Sequence, residues 1–219
     1  MSNIEFKDNI TFIHPLEKTD DISETSVVDC LKIAHMNAMN KQLFNNCCNI
    51  NCGICNHTKS KAISNGSLNA DIMFVCAYPS EYETYTGCFT DDKGYFLNEL
   101  LTKADVKRSS VYCTSILKCN ALEYTNESIV NNCLNNYFKK ELRIINPRKI
   151  IFTITALKVC IKYNIVIEDG NHLIYNNEQA KFCDDIGIKN IFIINELENS
   201  LSVQKGKSML MSRIDEIFK

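Results

Sequence analysis

The stretch Asp71-Ile-Met-Phe-Val-Cys-Ala77 decides the fold class, because it is an almost unbroken apolar run that ends at the loop beginning Tyr78-Pro79-Ser80. Such a run is typical of a strand that is buried on both faces of a sheet. Downstream of it, segments of strand character alternate with segments of helix character. Predicted strands cover 71–77, 110–117, 148–154 and 190–194, and predicted helices cover 94–104, 126–143, 155–163 and about 203–218. This alternation predicts an α/β fold with a parallel sheet covered by helices on both faces.

The regions outside this alternation are an arm, a helix and a hairpin. Residues 1 to about 22 are polar and acidic, and Ser23 or Thr25 is the predicted N-cap of a helix that runs to about Phe44. A weak hairpin is predicted around Asp169-Gly170. The predicted apolar side of the N-terminal helix consists of Val27, Val28, Leu31, Ile33 and Ala34.

We therefore divide the chain into two parts. Residues 1–45 form an N-terminal arm and helix, and residues 46–219 form one α/β domain. In open parallel sheets, ligands bind at the carboxyl ends of the strands. The predicted functional loops are therefore 77–93, 115–125 and 195–206.

The composition excludes several classes of protein. A chain of 219 residues with 45% apolar residues can bury a substantial core. No apolar run is long enough to span a bilayer, and the first residues lack the pattern of a signal peptide, so we expect an intracellular protein with no membrane partner. A net charge of -2 gives no global attraction to nucleic acid. Any DNA contact therefore requires a local basic face.

The basic residues that could form such a face lie in four groups along the chain. A solvated surface is the alternative interpretation of the same residues. The candidates for phosphate contact are Lys59, Lys61, Lys107, Arg108, Lys139, Lys140, Arg143, Arg148 and Lys149.

Twelve cysteines in an intracellular chain favour metal ligation and buried thiols over a disulfide framework. Cys52 and Cys55 form a Cys-x-x-Cys pair, and Cys119 and Cys133 are separated by thirteen residues. Four thiolates suit either a structural zinc or an iron–sulfur cluster, and the spacing does not choose between them. Six other cysteines are predicted to be buried as small apolar groups, namely Cys30, Cys76, Cys88, Cys113, Cys160 and Cys183.

The order of these motifs resembles the iron–sulfur uracil-DNA glycosylases, often called family 4, and the related phage polymerase-type domain. The resemblance runs from Cys52 to the C-terminus. It is carried by Cys52-x-x-Cys55, Ala70-Asp-Ile-Met-Phe-Val75 with Pro79, Gly87-Cys-Phe89 with Gly94, Lys118-Cys119, Cys133, and Asn146-Pro-Arg-Lys-Ile-Ile151.

This resemblance implies a three-layer α/β/α sandwich with a central parallel four-stranded sheet. It also implies a base pocket to which Pro79 and Phe89 contribute. Phe89 would be a platform for base stacking, and an ordinary core aromatic is the alternative. The implied cofactor is a [4Fe-4S] cluster, with zinc as the alternative, on Cys52, Cys55, Cys119 and Cys133.

The pocket positions depart from the family pattern in three places. The acidic residue of the family's first motif becomes Ala77, its uracil-reading Asn falls on Ser115, and its His falls on Asn195. Cleavage of an N-glycosidic bond develops a cationic sugar and an anionic base, so a carboxylate and a donor to the leaving base are the groups that matter. Glu83 is the candidate replacement carboxylate. Tyr78 would fill the base pocket, or would be a surface loop residue.

Three functions fit these observations. The first is a catalytically impaired glycosylase-like protein that binds nucleic acid or assembles a complex. The second is a divergent active glycosylase that flips and excises uracil or another base, an N-glycosidic hydrolase. The third is a protein-partner module of a replication or transcription complex. The candidate partners are therefore single- or double-stranded DNA, or the protein subunits of a nucleic-acid-processing complex.

Overall fold

The computed structural model describes residues 26–46, 61–120, 125–153, 155–156, 158–159, 174–176, 179–184, 187–194 and 218. For the strands beyond residue 173 the description covers the backbone alone. Several predicted features lie outside the described residues. They are the acidic arm, the caps Ser23 and Thr25, Cys52 and Cys55, the hairpin at 169–170, Asn195, and the last helix apart from Phe218.

Seven strands form one mixed sheet in the described part of the chain. The strands are β1 (Asn65–Gly66), β2 (Ile72–Cys76), β3 (Tyr112–Ser115), β4 (Lys149–Thr153), β5 (Ile174–Asn176), β6 (Gln179–Asp184) and β7 (Gly187–Ile194). Their order in the sheet is β1-β3-β2-β4-β7-β6-β5.

The four strands predicted from the sequence form the parallel centre of this sheet. β2 pairs in parallel with both β3 and β4, and β4 pairs in parallel with β7. The predicted extent was wrong, because β1, β6 and β5 extend the two edges in antiparallel pairing. These edge strands are short or polar in sequence, so they lack the apolar run that marks a central strand.

The strand order reverses at β2. The chain passes from β2 to β3 on one side, and then returns to β4 on the other side of β2. β2 and β3 are therefore neighbours in the sheet, whereas β3 and β4, which follow one another in the sequence, are separated by β2. Such a reversal opens a crevice between the carboxyl ends of the two strands that flank it, which is where open α/β sheets bind ligands.

The first helix, α1 (Val27–Asn46), begins two residues after Thr25, the later of the two predicted caps, and Ser26 caps it. The Ser26 hydroxyl accepts a hydrogen bond from the Asp29 backbone N–H at 3.1 Å and donates to the Asp29 carboxylate at 2.9 Å. This reciprocal pair satisfies a backbone donor that the helix start would otherwise leave exposed.

The predicted buried side of α1 was wrong. Val28 is 60% exposed and Leu31 is 54% exposed. Instead the later residues Met36, Met39 and Leu43 are buried in the core. The reason is that only the C-terminal half of α1 packs against the sheet layer, so the apolar residues of its first turns face outward.

The remaining helices connect the parallel strands along the chain. They are α2 (Glu83–Thr86), α3 (Asp92–Lys103), α4 (Glu127–Cys133) and α5 (Lys139–Ile145), with a π-helical segment (Leu134–Phe138) that joins α4 to α5. Along the chain, α2 and α3 follow β2, and α4 and α5 follow β3. The last helix of this run ends at Asn146 in the left-handed conformation, directly before Pro147, as predicted. Among the described residues, no helix is both long and apolar enough to cross a membrane.

Two core clusters lie on opposite faces of the sheet. Met73 and Val75 of β2 belong to the cluster that contains residues of α1, α4 and α5, and Phe74 and Cys76 belong to the cluster that contains residues of α3. Successive strand side chains point to opposite faces, so each face carries its own layer of helices.

Candidate functional site

A cavity of about 460 Å³ lies at the carboxyl ends of β2 and β4, where the strand order reverses. Three chain segments contribute to its wall: the end of β2, the start of α3 and the residues after β4. The described lining residues are Cys76, Ala77, Tyr78, Ser80, Asp91, Asp92, Lys93 and Thr155. The predicted functional loop 77–93 therefore forms much of this cavity.

Glu83 is the central polar group of that loop, and it is fully buried. Its carboxylate accepts hydrogen bonds from the Ser80 backbone N–H and the Lys93 ammonium, both at 2.7 Å. The other carboxylate oxygen accepts from the Phe89 backbone N–H. Both oxygens are thus engaged, and Glu83 ties the two ends of the loop to α3.

Removing the Glu83 charge should destabilise the protein. In Glu83→Gln, the side-chain NH2 group replaces an oxygen that now accepts hydrogen bonds, and the Lys93 ammonium loses its nearest anionic partner. We therefore expect a loss of about 3 kcal/mol in the free energy of unfolding. Urea unfolding measures this loss. The matched control is Glu81→Gln at a nearby exposed carboxylate, and equal stability of the two variants would contradict the role of Glu83 as a clamp.

The Lys93 side chain lies between this clamp and the cavity. Burial opposes its charge, but the nearby carboxylates of Glu83 and Asp91 favour the charged form, and the pKa of Lys93 is raised above its usual value. Lys93 is therefore a cation at neutral pH, held 2.7 Å from Glu83 and 3.3 Å from Asp91.

Phe89 occupies an unusual backbone conformation at the end of this loop. Its φ is +59°, in the left-handed region where a non-glycine residue needs support from its surroundings. Gly94 makes the turn possible, since a Cβ there would lie 2.1 Å from the Phe89 carbonyl oxygen. The Phe89 ring is 2% exposed and packs edge-on against Phe74 at 6.2 Å. In this structure Phe89 packs in the core.

The structure places the other predicted pocket residues at different depths. Ala77 and Tyr78 line the cavity, and Tyr78 is half-buried against the core. Pro79 is buried beside them. Ser115 is fully buried, with its hydroxyl 3.6 Å from the Cys88 sulfur.

Three buried cysteines surround this region. Burial raises the pKa of the Cys88 and Cys113 thiols to about 12, and burial also raises the pKa of Cys76 well above its usual value. At neutral pH all three are protonated thiols, which neither attack electrophiles nor ligate metals well. The prediction of buried, inert thiols is confirmed for these three. It was wrong for Cys30, which is exposed on α1. The side chains of Cys160 and Cys183 lie outside the described residues.

These thiols predict a loss of stability at alkaline pH. A thiol ionises near pH 9 in the unfolded chain but only near pH 12 when buried, so between these values the folded state retains a proton that the unfolded state has released. Stability is therefore unaffected below about pH 9 and falls above it, by about 1.4 kcal/mol per pH unit for each thiol.

Urea unfolding between about pH 8 and pH 10.5 measures this dependence. Cys88→Ala should remove one thiol's share of the slope while leaving the sign unchanged. A free energy of unfolding that stays flat across this range would contradict the assignment.

Two of the four predicted metal ligands lie within the described residues. Cys119 and Cys133 are buried in the same core cluster, at 3% and 6% exposure. Lys61, six residues after Cys55, forms an antiparallel bridge with Cys119, and the Ala62 N–H donates to the Lys118 carbonyl at 2.8 Å. Six residues span at most about 20 Å, so Cys55 is within that distance of the bridge. This limit is compatible with a site that Cys55 shares with Cys119.

The sequence marks no individual residue in part of the cavity wall, although Asp91, Asp92 and Lys93 lie within the predicted functional loop 77–93. Asp91, Asp92, Lys93 and Thr155 carry no motif that marks them as pocket residues. Asp91 caps α3, accepting from the Lys93 N–H at 3.0 Å. An N-cap signal before a predicted helix at the carboxyl end of the sheet could have placed Asp91 there.

Comparison with known families agrees with this architecture. The model of the uracil DNA glycosylase superfamily matches residues 63–197. Because that match spans more than half of the chain, the protein belongs to the uracil DNA glycosylase superfamily. The matched range runs from before β1 to beyond β7 and includes the cavity, Cys119 and Cys133. It begins after Cys52 and Cys55, so the iron–sulfur subtype stays a prediction.

Proposed function

We propose that this protein is a glycosylase-like iron–sulfur protein with little or no uracil excision activity, which binds nucleic acid as a non-catalytic subunit. Membership of the superfamily implies DNA as the class of partner. The observation that carries the loss of activity is Ala77, which lines the cavity where the family resemblance expects a carboxylate.

Two further observations support impaired catalysis. The Ser115 hydroxyl is fully buried beside the Cys88 sulfur, so it is poorly placed to read the edge of a base. The Glu83 carboxylate already accepts three hydrogen bonds, so it would have to break the clamp to activate water. Glu83, the replacement carboxylate considered from the sequence, is therefore already engaged in holding the loop.

The proposed cofactor is a [4Fe-4S] cluster held by Cys52, Cys55, Cys119 and Cys133. Its support is the burial of Cys119 and Cys133 in one core cluster and the bridge from Lys61 to Cys119. When bound, such a cluster would cross-link the segment before β1, the residues that follow β3, and α4. Zinc is the alternative, and metal analysis distinguishes the two.

An active divergent glycosylase is the second candidate, and two cavity carboxylates favour it. Asp91 serves as a helix cap, whereas Asp92 is exposed in the cavity wall. A carboxylate there could orient water or stabilise a developing cation. If turnover occurs, Asp92→Asn should abolish it and the exposed control Glu81→Gln should not.

A protein-partner module is the third candidate, and it is favoured by the exposed apolar residues of α1. A groove of about 570 Å³ between α1 and α5 is lined mainly by apolar atoms. Val28 and Leu31 form one wall, and Lys140, Arg143 and Ile144 form the other. A groove of this kind suits an amphipathic helix of another protein.

Salt-dependent DNA binding separates the first candidate from the third. We expect a labelled uracil-free duplex to bind with an affinity that falls steeply with salt, since neutralised phosphates release their counterions. Charge removal at exposed Lys107 should reduce the salt slope by about one unit. Leu31→Ser in the groove of α1 serves as the control: it removes an apolar group, adds no charge, and should leave DNA binding unchanged. Absence of salt-dependent binding would contradict the nucleic-acid role.

Phe89→Ala is a poor probe of DNA binding in this structure. The ring packs against Phe74 in the core, and truncation of a buried Phe costs about 3–5 kcal/mol of stability. Any loss of binding in that variant has to be compared with its loss of folded protein.

A further inference from the structure

A buried ionic centre lies on the opposite face of the sheet from the Glu83 clamp. The Lys118 ammonium donates to both oxygens of the Glu141 carboxylate, at 2.9 Å and 2.8 Å. Both side chains are only 1% exposed. We call this group, with the hydroxyls that surround it, the Lys118–Glu141 centre; it consists of Ser64, Tyr112, Thr114, Lys118 and Glu141.

Three hydroxyls complete the hydrogen bonding of this centre. The Thr114 hydroxyl donates to Glu141 at 2.6 Å and accepts from Lys118 at 2.6 Å. The Ser64 hydroxyl also contacts the Glu141 carboxylate and lies 3.2 Å from the Lys118 ammonium. Tyr112 donates to Glu141 at 3.3 Å. The two opposite charges are thus paired and their remaining hydrogen-bonding capacity is largely used.

The centre joins three separate chain segments, and each segment carries a predicted metal ligand. Ser64 lies nine residues after Cys55, on the segment that pairs with Cys119 through Lys61. Lys118 directly precedes Cys119, three residues after the last residue of β3. Glu141 lies eight residues after Cys133, on the same run of α4, the π-helical segment and α5.

Stability alone is a weak reason for such a centre. Replacing a buried ion pair by well-packed apolar residues is often neutral or stabilising, because burial of the two charges costs about as much as their attraction returns. Hydrogen bonds between charged groups are directional, however, so the pair fixes the positions of its segments in a way that apolar contact does not. Thiolates that share one cluster need that kind of positioning.

We propose that Lys118 and Glu141 are positioning residues for the cysteine site: their buried ion pair holds the segments of Cys119 and Cys133 at the spacing that a shared cluster requires, and Ser64 ties the segment that follows Cys55 to the pair. This inference rests on the proposed iron–sulfur function. Loss of the pair releases iron, and the fold of the sheet persists without it.

The test compares two buried ion pairs with the same substitutions. One variant is Lys118→Met with Glu141→Gln, which removes both charges and keeps an oxygen that can accept from Thr114 or Ser64. The control is Lys93→Met with Glu83→Gln, which removes the other buried pair on the far face of the sheet. For wild type and both variants, iron per chain and the rate of iron transfer to a chelator are measured, with far-UV circular dichroism and urea unfolding as the readouts of folding.

We expect the Lys118/Glu141 variant to lose iron at least about tenfold faster than wild type, a difference of about 1.4 kcal/mol. The Lys93/Glu83 control should release iron at the wild-type rate. Both variants should keep the wild-type circular dichroism. Release at the wild-type rate from a folded Lys118/Glu141 variant would overturn the inference.

If the double substitution prevents folding, a milder variant tests the same inference. Ser64→Ala removes only the tie to the segment that follows Cys55, and it should still accelerate iron release severalfold in folded protein. Unchanged release from Ser64→Ala would then overturn the inference. If wild type itself contains no iron, the iron–sulfur function fails and the inference falls with it; if wild type holds iron and the variants release it normally, only the inference fails.

Discussion

Anaerobically purified protein should contain about four irons per chain, and Cys119→Ser should lose nearly all of them. Cys119 is 3% exposed and its backbone bridges Lys61, and a serine hydroxyl at this position cannot supply the thiolate that ligates a metal. The same variant should be less soluble, because the end of β3 would lose its link to the other ligand-bearing segments. Metal analysis and visible absorbance report the first effect, and the soluble yield reports the second.

Cys113→Ser is the matched control for this experiment. Cys113 is a buried thiol of β3, six residues before Cys119, and it is not a predicted ligand. The Cys113→Ser variant should keep the full iron content of the wild-type protein. A wild-type protein with one zinc and no iron would contradict the cluster and favour the structural zinc site.

Restoring the family's pocket groups should produce the second large effect. We expect Ala77→Glu, Ser115→Asn and Asn195→His together to raise uracil excision at least about a hundredfold over wild type, since one such group is often worth a hundredfold to a thousandfold in rate. Ala77 lines the cavity, so a carboxylate there would reach the site. Ser115 has no exposed surface, so its replacement needs Cys88→Ala to make room.

A second variant tests whether the bulky side chain of Tyr78 blocks the cavity. If the restored variant stays inactive, adding Tyr78→Gly should open the cavity, because Tyr78 is one of its lining residues. Activity that appears only with Tyr78→Gly would assign the block to the tyrosine. Inactivity of both variants would contradict the view that only the polar groups of the pocket were lost.

The sequence predicted the parallel centre of the fold because two of its strands leave a strong local signal. The apolar runs of β2 and β4 are buried on both faces, so they contain almost no polar residues. The edge strands carry no such run, and β6 reads Gln-Ala-Lys-Phe-Cys-Asp. Antiparallel pairing along an edge depends on which neighbours the fold supplies, which the strand itself does not record.

The site was predicted in location but not in detail. The carboxyl end of β2 follows from topology, and the loop after it lines the cavity. The engagement of Glu83 could not be predicted, since it depends on the backbone turn that brings Phe89 toward it. The Lys118–Glu141 centre likewise joins residues 23 positions apart that only the packing of α5 against β3 brings together.

Single-turnover excision of uracil by the iron-loaded protein is the measurement that decides whether this chain is catalytically impaired. The substrates are single- and double-stranded oligonucleotides with one uracil, and a catalytically competent member of the superfamily is run in parallel. We expect the protein to bind DNA, and we expect its rate of uracil excision to be at least about a hundredfold lower than the rate of the competent enzyme. Robust turnover would contradict this expectation. Its loss in Glu83→Gln, while the folded fraction of that variant stays high, would make Glu83 the catalytic carboxylate, and its loss in Asp92→Asn would assign that role to Asp92.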